Sequence, residues 1–422
     1  MNMNFFTRNR ALATVFFTIF LDMIGFGILI PIMPFLFTDP ASPHYIFGAG
    51  VSVDRGYLYM GIIMSLFSLC MFLSAPIIGE FSDKYGRKRL LIGSIIGNAL
   101  GYAVFAVGIL LHSVTFIILA RMINGLMSGG MVVAQAAIAD ITKPEDRAKN
   151  FGLIGAAFGL GMIFGPFVGG RLVDPTLVSW FTATTPFFFA AGLSIINVLF
   201  IVFFFEETNK HIDTARVLTL SKAIRNIEKA VSLKSLRPLF ITNFLFQGGF
   251  SFYVTFAGVF FLTRFGFTEA NIGNYFAYIG LWIIFTQTIL TRIVSRYLSE
   301  KEILRNTIMI VGVAILIVTT LHDSHYLYFV APFMAMAMGL TQANMTALIS
   351  RASDANVQGE ILGINGSVAS LATAFPPLFA GLIAGYFDAH APLVIASITI
   401  ISAGLYFINH LRIIRLRDEA TL

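Results

Sequence analysis

The chain has 422 residues, 57% of them hydrophobic and 12% charged, with 44 Phe, 37 Gly, a net charge of +6 and a mean hydropathy of +0.82. A soluble protein carries about 25% charge, so a water-facing globule of this composition would expose far too much apolar surface. Lipid is therefore the solvent. Disorder, coiled coil and a disulfide scaffold are excluded, there is no soluble basic domain to bind nucleic acid, and the single Cys70 has no partner within the chain.

Twelve apolar segments follow in order: 11–37, 57–79, 90–111, 114–139, 148–172, 184–205, 238–262, 271–291, 304–321, 326–349, 360–386 and 391–411. Only a helix or a closed barrel satisfies its own backbone in hydrocarbon, and apolar runs of about 20 residues are too long for barrel strands. The predicted fold class is all-α and polytopic, with twelve transmembrane helices. The basic start, MNMNFFTRNR, leads into a long run holding Asp22 and two prolines with no small-residue cleavage pattern, so it is expected to be a retained first span. Of the 28 Lys and Arg, only Arg55, Arg171 and Arg264 fall on the outer side when the amino end is inside, and Arg121 falls within a span. The positive-inside bias then predicts both termini in the cytoplasm.

Span 1 reads LDMIGFGILIPIMPFL, with Asp22, Gly25, Pro31 and Pro34. Asp22 lies roughly 16 Å above the inner end of span 1, and Arg121 roughly 11 Å below the outer end of span 4, at 1.5 Å per residue. Both sit mid-way through a core about 30 Å thick. A charge at that depth costs several kcal/mol and needs an interior partner or water. A static Asp22–Arg121 ion pair holding two helices together is one role. The other is proton coupling, in which the Asp22 carboxylate is desolvated in one state and approached by Arg121 in another.

The inner loop after span 2 reads GEFSDKYGRKR from Gly79 to Arg89. Gly86 permits a tight turn between helices, Asp83 can sit at a helix end, and Arg87 and Lys88 can pair with it or with acids on a neighbouring loop. Span 5 carries Gly152, Gly161, Gly165, Pro166, Gly169 and Gly170, a spacing that lets helices approach closely and bends one of them at Pro166. The inner connection from about Glu206 to Arg237 separates six spans from six. Within it Leu220, Ile224, Ile227 and Val231 fall at helical spacing with Lys222, Arg225 and Lys229 facing away, predicting a basic amphipathic helix on the inner leaflet. The division is thus 1–206, an amphipathic linker at 207–237, and 238–422.

Residues 147–170 align with 358–381, matching Gly152 to Gly363, Gly155 to Gly366, Pro166 to Pro377 and Gly170 to Gly381. Such parallel half-repeats belong to secondary transporters, whose sites lie between the halves near the midplane. Polar residues within the apolar runs, Asn124, Gln135, Asn243, Gln247, Gln287, Gln342, Asn344 and Asn365, are candidates to line a substrate cavity, with Tyr253 and Trp282 as stacking faces. Residues of this kind serve more often as helix–helix hydrogen bonds than as substrate contacts. No phosphate loop indicates ATP drive, no charge ring indicates a channel, and His322 and His325 in an outer turn make a poor metal site.

The loop from Gly79 to Arg89 resembles the signature loop of the major facilitator superfamily. The span 5 spacing resembles that family's antiporter motif, and span 1, with Arg121 and Asn124 in span 4, resembles the twelve-span drug/proton antiporters that include tetracycline exporters. The resemblance covers the chain and implies two pseudo-symmetric six-helix halves working by alternating access. It implies a cytoplasmic latch joining the first loop to Asp140, with Glu145 and Arg147 nearby; the second-half stretch TRIVSRYLSEKEIL has Arg296 where that Asp would fall. It also implies export of small amphipathic compounds against protons by a monomer in a bacterial-type cytoplasmic membrane, with no cofactor beyond the proton and no catalytic chemistry. Export of one metabolite or siderophore, proton-coupled uptake or facilitated diffusion, and a membrane sensor on the same scaffold are the alternatives.

Overall fold

A computed structural model describes residues 3–48, 50–142, 147–209, 221–352 and 358–420, without side chains at 3–9, 147–154, 358–359 and 413–420. Glu145 lies outside the described residues, as does Leu220, and the surroundings of Arg147 and Gly152 are likewise not described. Each apolar segment forms a helix, as backbone satisfaction in hydrocarbon demands. Span 1 is α1 (Met3–Phe37), span 2 is α2 (Val53–Tyr85) and span 3 is α3 (Arg87–Leu110). Span 4 is divided into α4 (Val114–Met127) and α5 (Gly130–Ile141), spans 5 and 6 are α6 (Arg147–Arg171) and α7 (Thr185–Phe204), and the linker holds α8 (Lys222–Ser232). Span 7 is α9 (Arg237–Phe265). Span 8 runs through α10 (Glu269–Phe285), a π-helical turn (Thr286–Leu290) and α11 (Thr291–Val294). Spans 9 and 10 are α12 (Glu300–Thr320) and α13 (His325–Arg351), span 11 is divided into α14 (Gln358–Ala374) and α15 (Pro376–Tyr386), and span 12 is α16 (Ala391–Ala420).

Ten of these spans are long and apolar enough to cross a membrane on length and composition alone. The other two are α6, whose first turns carry no described side chains, and α13, diluted by Thr341, Gln342, Asn344 and Thr346. Two interruptions have local causes. Span 4 breaks at Ser128 and Gly129, where the Ser128 hydroxyl donates to Gly125 O at 2.7 Å. Span 11 breaks where Pro376 opens α15, since proline cannot continue the ladder of the preceding helix. Apolar side chains left outside, such as Ile195, Leu199 and Phe203 on α7, form the surface that lipid covers.

Before the linker, α1 packs on α6 and α7, and α3 packs on α4 and α7. After it, α9 packs on α16, and α12 packs on α13 and α16. The two sets meet along α6–α10, α2–α15, α2–α14 and α1–α9. The crossings repeat themselves. A Cβ on Gly273 of α10 would lie 2.4 Å from Pro166 O, and one on Gly61 of α2 would lie 2.5 Å from Pro377 O. Pro166 and Pro377 are matched positions of the internal repeat, so one contact recurs about a pseudo-twofold axis.

The linker helix lies differently from its expected orientation. Its inward face is Ala223, Asn226, Ile227 and Ala230, whereas Ile224 and Val231 are exposed. Lys222 does not face away into water, whereas Lys229 is exposed as expected. Lys222 Nζ pairs with the buried Glu80 on α2 at 3.0 Å, Lys229 pairs with Glu360 on α14, and Asn226 Nδ2 donates to Ser367 Oγ at 2.9 Å. Small residues let the helix lie close, and its lysines then reach acids on both sides.

Candidate functional site

The interior of the first six spans holds a connected polar cluster. Asp22, half-buried on α1, accepts a hydrogen bond from Asn98 Nδ2 of α3 at 3.0 Å. The Asn98 backbone carbonyl accepts in turn from Asn124 Nδ2 of α4 at 3.0 Å, while Asn124 Oδ1 is buried without a partner. One turn before Asn124, Arg121 is 2% exposed. Its guanidinium carbon lies 4.2 Å from the centre of the Phe67 ring, its Nη2 is 3.8 Å from Met64 Sδ, and its Nε has no partner.

Asp22 and Arg121 form no ion pair. Tyr102 of α3 stands within electrostatic reach of both and packs on α1 at Gly25, where a Cβ would fall 2.5 Å from the phenol oxygen. A buried cation without a counter-charge is costly, and stacking on Phe67 offsets only about 2 kcal/mol of that. The arrangement suits a carboxylate and a guanidinium that meet in another conformation of the same helices. Sequence reasoning missed Asn98, Tyr102, Met64 and Phe67.

At one end of the molecule the loop motif forms a second cluster. Arg87 opens α3 and lies between two acids, with Nη1 2.6 Å from Asp83 and Nε 3.0 Å from Asp140 at the end of α5. Ser82 Oγ also accepts from Arg87, and the Thr208 hydroxyl donates to Asp140 at 3.3 Å. Gly86 has φ +95°, a conformation that side chains rarely adopt, and a Cβ there would lie 2.4 Å from Glu207 Oε2. The vacant space admits the Glu207 carboxylate, which accepts from the backbone N–H groups of Arg87 at 2.9 Å and Lys88 at 3.1 Å. An anion at a helix N-terminus satisfies donors that have no helical partner. Glu207 was not among the expected latch residues. Lys88 reaches Val202 O at 2.9 Å, and Gly79 lies against Val132 of α5.

The glycines of span 5 set α6 between α1 and α10. Gly161, Gly165 and Gly169 recur every fourth residue against Met23, Gly27 and Ile28 of α1, and Gly170 lies against Glu269 of α10. At Gly165 the backbones approach so closely that a Cβ would be 2.8 Å from Gly27 Cα. Small residues at these positions let the helix backbones approach closely on both sides.

The remaining candidate residues divide. Gln135 on α5 and Gln342 on α13 are exposed, and Gln247 on α9 is half-buried. Asn243 donates to Asn365 Oδ1 at 2.8 Å, joining α9 to α14, and Asn344 donates to Leu340 O at 2.8 Å. Gln287 sits opposite Gly155 at the α6–α10 seam, and Trp282 meets Tyr278 and Phe285 edge-on. Tyr253 is fully buried with its hydroxyl 3.3 Å from that of Tyr275, so it packs the interior of α9 and α10. In the turn before α13, His325 N–H donates to Asp323 at 2.9 Å and its ring nitrogen lies 2.7 Å away, holding the Asp323 carboxyl below its usual range. Among the described residues no group of three or more His, Cys, Asp or Glu could hold a metal ion.

A helical bundle with repeated halves, small-residue seams between them and a charged cluster inside the first six spans matches the architecture of a secondary transporter. The sequence matches the Major Facilitator Superfamily over residues 15–377, and the chain belongs to that family. It is 27% identical to the tetracycline resistance protein, class C, of Escherichia coli over 405 residues, 95% of either chain. It is 26% identical to multidrug resistance protein 2 of Bacillus subtilis (strain 168), covering 92% of each. The fold is shared with the human organic anion transporter MFSD10 (TETRAN), at TM-score 0.71, 24% identity and coverage of 95% of this chain and 99% of that one. A bacterial homolog of the human lysosomal transporter Spinster, inward-facing and unoccupied, superposes at TM-score 0.75 with 12% identity, over 95% and 96% of the two chains. The protein is a multi-pass membrane transporter of small molecules.

Proposed function

We propose that the protein exports small amphipathic compounds in exchange for protons by alternating access, with Asp22 carrying the proton. The observation behind this reading is the half-buried Asp22, held by one Asn98 hydrogen bond and set apart from a buried, uncompensated Arg121. The antiporter-type glycine seam of α6 and relatives named for tetracycline and multidrug resistance support the direction and the drug-like substrate.

In this reading the end carrying Arg87 and both termini faces the cytoplasm of a bacterial-type inner membrane, because the Lys and Arg concentrate there. Residues 1–206 and 238–422 act as two rocking bodies joined by 207–237. Contacts between them are tight at the other end, at Gly61–Pro377, Gly273–Pro166 and Gly258–Pro34, whereas α5 makes no comparable packing on α13. We read this asymmetry as a conformation open to the cytoplasm. Substrate binds, the proton leaves Asp22, and the halves rock outward. Asp22 is then reprotonated as substrate departs. Arg121 approaches the ionised carboxylate during the step in which it has lost its proton, replacing water as its counter-charge. One proton moving inward across 100 mV supplies about 2.3 kcal/mol, enough for more than a tenfold substrate gradient at about 1.4 kcal/mol per decade.

Expression in an efflux-deficient bacterial host, challenged with a panel of chemically unrelated toxic amphipaths and with tetracycline, tests this reading. Resistance to several compounds, lost in Asp22→Asn, is the expected result. Protection from a single compound would mean a dedicated exporter, and sensitisation to the panel would mean uptake.

A further inference from the structure

The two halves carry the same cluster of three charges with the signs reversed. In the first half Arg87 opens the third helix, Asp83 lies four residues before it, and Asp140 ends the fourth span; the arginine pairs with both acids. In the second half Glu300 opens α12, Arg296 lies four residues before it, and Arg351 ends α13. The internal repeat gives the same register, since matching 147 to 358 places 140 on 351. Arg351 Nη1 pairs with Glu300 at 2.7 Å, as Asp140 pairs with Arg87. The inversion is incomplete, however: the Arg296 side chain makes no ion pair or hydrogen bond among the described residues.

The surplus cation borders an open cavity of about 540 Å³, and Arg296, Arg351, Glu300, Ser295, Ser299 and Asn344 are among the residues lining it. The Ser299 hydroxyl is taken up by Glu302, to which it donates at 2.8 Å, so two guanidiniums, one carboxylate and the Ser295 hydroxyl leave one positive charge unmatched. That chemistry suits a singly charged phosphate group, which arginine binds through paired N–H donors.

A second observation points to the source of the phosphate. Along span 8, Leu281, Phe285, Ile289 and Ile293 recur every fourth residue, Tyr297 follows in the turn after α11, and all are exposed. This apolar ladder ends at Tyr297, on the rim of the cavity. An acyl chain lying on the ladder would bring its own headgroup to Arg296, whereas a soluble phosphate would have no use for it.

We infer that this cavity binds the phosphate of an anionic phospholipid, seated between the ends of α11, α12 and α13, with Arg296 as its main ligand and Arg351 shared with Glu300. The lipid supplies the acid that the second half lacks and completes a cluster that is closed within the protein in the first half. The inference does not depend on how protons are coupled.

Native mass spectrometry of the purified full-length protein, titrated with phosphatidylglycerol or phosphatidylcholine, tests it. Arg296→Gln should weaken phosphatidylglycerol binding about fivefold, the effect of one basic residue at a membrane surface, with Arg296→Lys close to the parent. Arg292→Gln, at the same end but outside the cavity, should change nothing, and phosphatidylcholine should not distinguish the variants. Excess inorganic phosphate should leave the lipid bound. Equal losses in Arg292→Gln and Arg296→Gln would overturn the site. Phosphate that displaces the lipid from the parent but not from Arg296→Gln would make the ligand a soluble anion and overturn the lipid assignment.

Discussion

The interiors of the two halves solve the same packing problem with different chemistry. The first half holds Asp22 and Arg121 inside its spans, Asp22 tied to Asn98 and through it to Asn124, and Tyr102 within electrostatic reach of both charges. The second half answers with neutral amides: Asn243 joins Asn365, Asn344 turns back on its own helix, and no ionisable carboxylate lies at mid-depth among its described residues. Neutral amides satisfy one another and stay put, whereas an acid and a base held apart have a reason to move. On the function proposed above, charge traffic belongs to the first half, while the second provides a stable surface for it to work against.

The largest expected effect breaks that contrast at its centre. Asp22→Asn keeps the shape and the Asn98 contact but cannot exchange a proton, so transport driven by a pH gradient should fall to the level of vesicles lacking the protein. Adding an acid to the second half, as Gln247→Asp in the Asp22→Asn background, should not restore it, because nothing equivalent to Arg121 lies there. Recovery of gradient-driven uptake into everted vesicles by that double variant would show the halves to be interchangeable.

Next in size is the loop cluster. Arg87→Ala leaves two acids facing each other at a partly buried site and should lower transport about tenfold at unchanged protein level. Glu300→Ala, its sign-reversed counterpart, removes one more exposed pair and should cost less than about twofold. Similar losses in both, measured as initial rates, would mean that the two latches bear equal load.

The smallest effect concerns packing. Gly165→Ala forces a methyl group against Gly27 and should destabilise by about 1–3 kcal/mol, seen as a lower thermal midpoint in detergent. Gly363, which the repeat matches to Gly152, has nothing within 4 Å of an added Cβ. Gly363→Ala should leave the midpoint unchanged or slightly raised, since alanine favours the helix.

The helices, and Asp22 and Arg121 as rare charges within them, were legible because hydrocarbon permits one backbone solution and charges in it are rare. The span 5 glycines were legible for a similar reason, since their fourfold spacing maps directly onto one helix face. What the sequence hid depends on contacts across distance. Asn98 is an ordinary polar residue in an apolar run until α3 folds 76 positions away onto Asp22. Glu207 belongs to a segment with no pattern, and its role exists only because Gly86 leaves space beside a helix end. The linker's amphipathic spacing was real, yet small size at Ala223 and Ala230 decided which face docks, a choice that hydropathy alone does not report. Tyr253 is a candidate stacking face by residue type alone, and its contact with the Tyr275 hydroxyl is visible only in the fold.

Proton release from everted vesicles with an acidified lumen tests the central claim most directly. Adding a transported compound should dissipate the gradient with the parent protein, fail to do so with Asp22→Asn, and do so weakly with Arg121→Ala. Substrate-dependent proton release by Asp22→Asn at the parent rate would contradict the account and leave the buried cluster a purely structural feature.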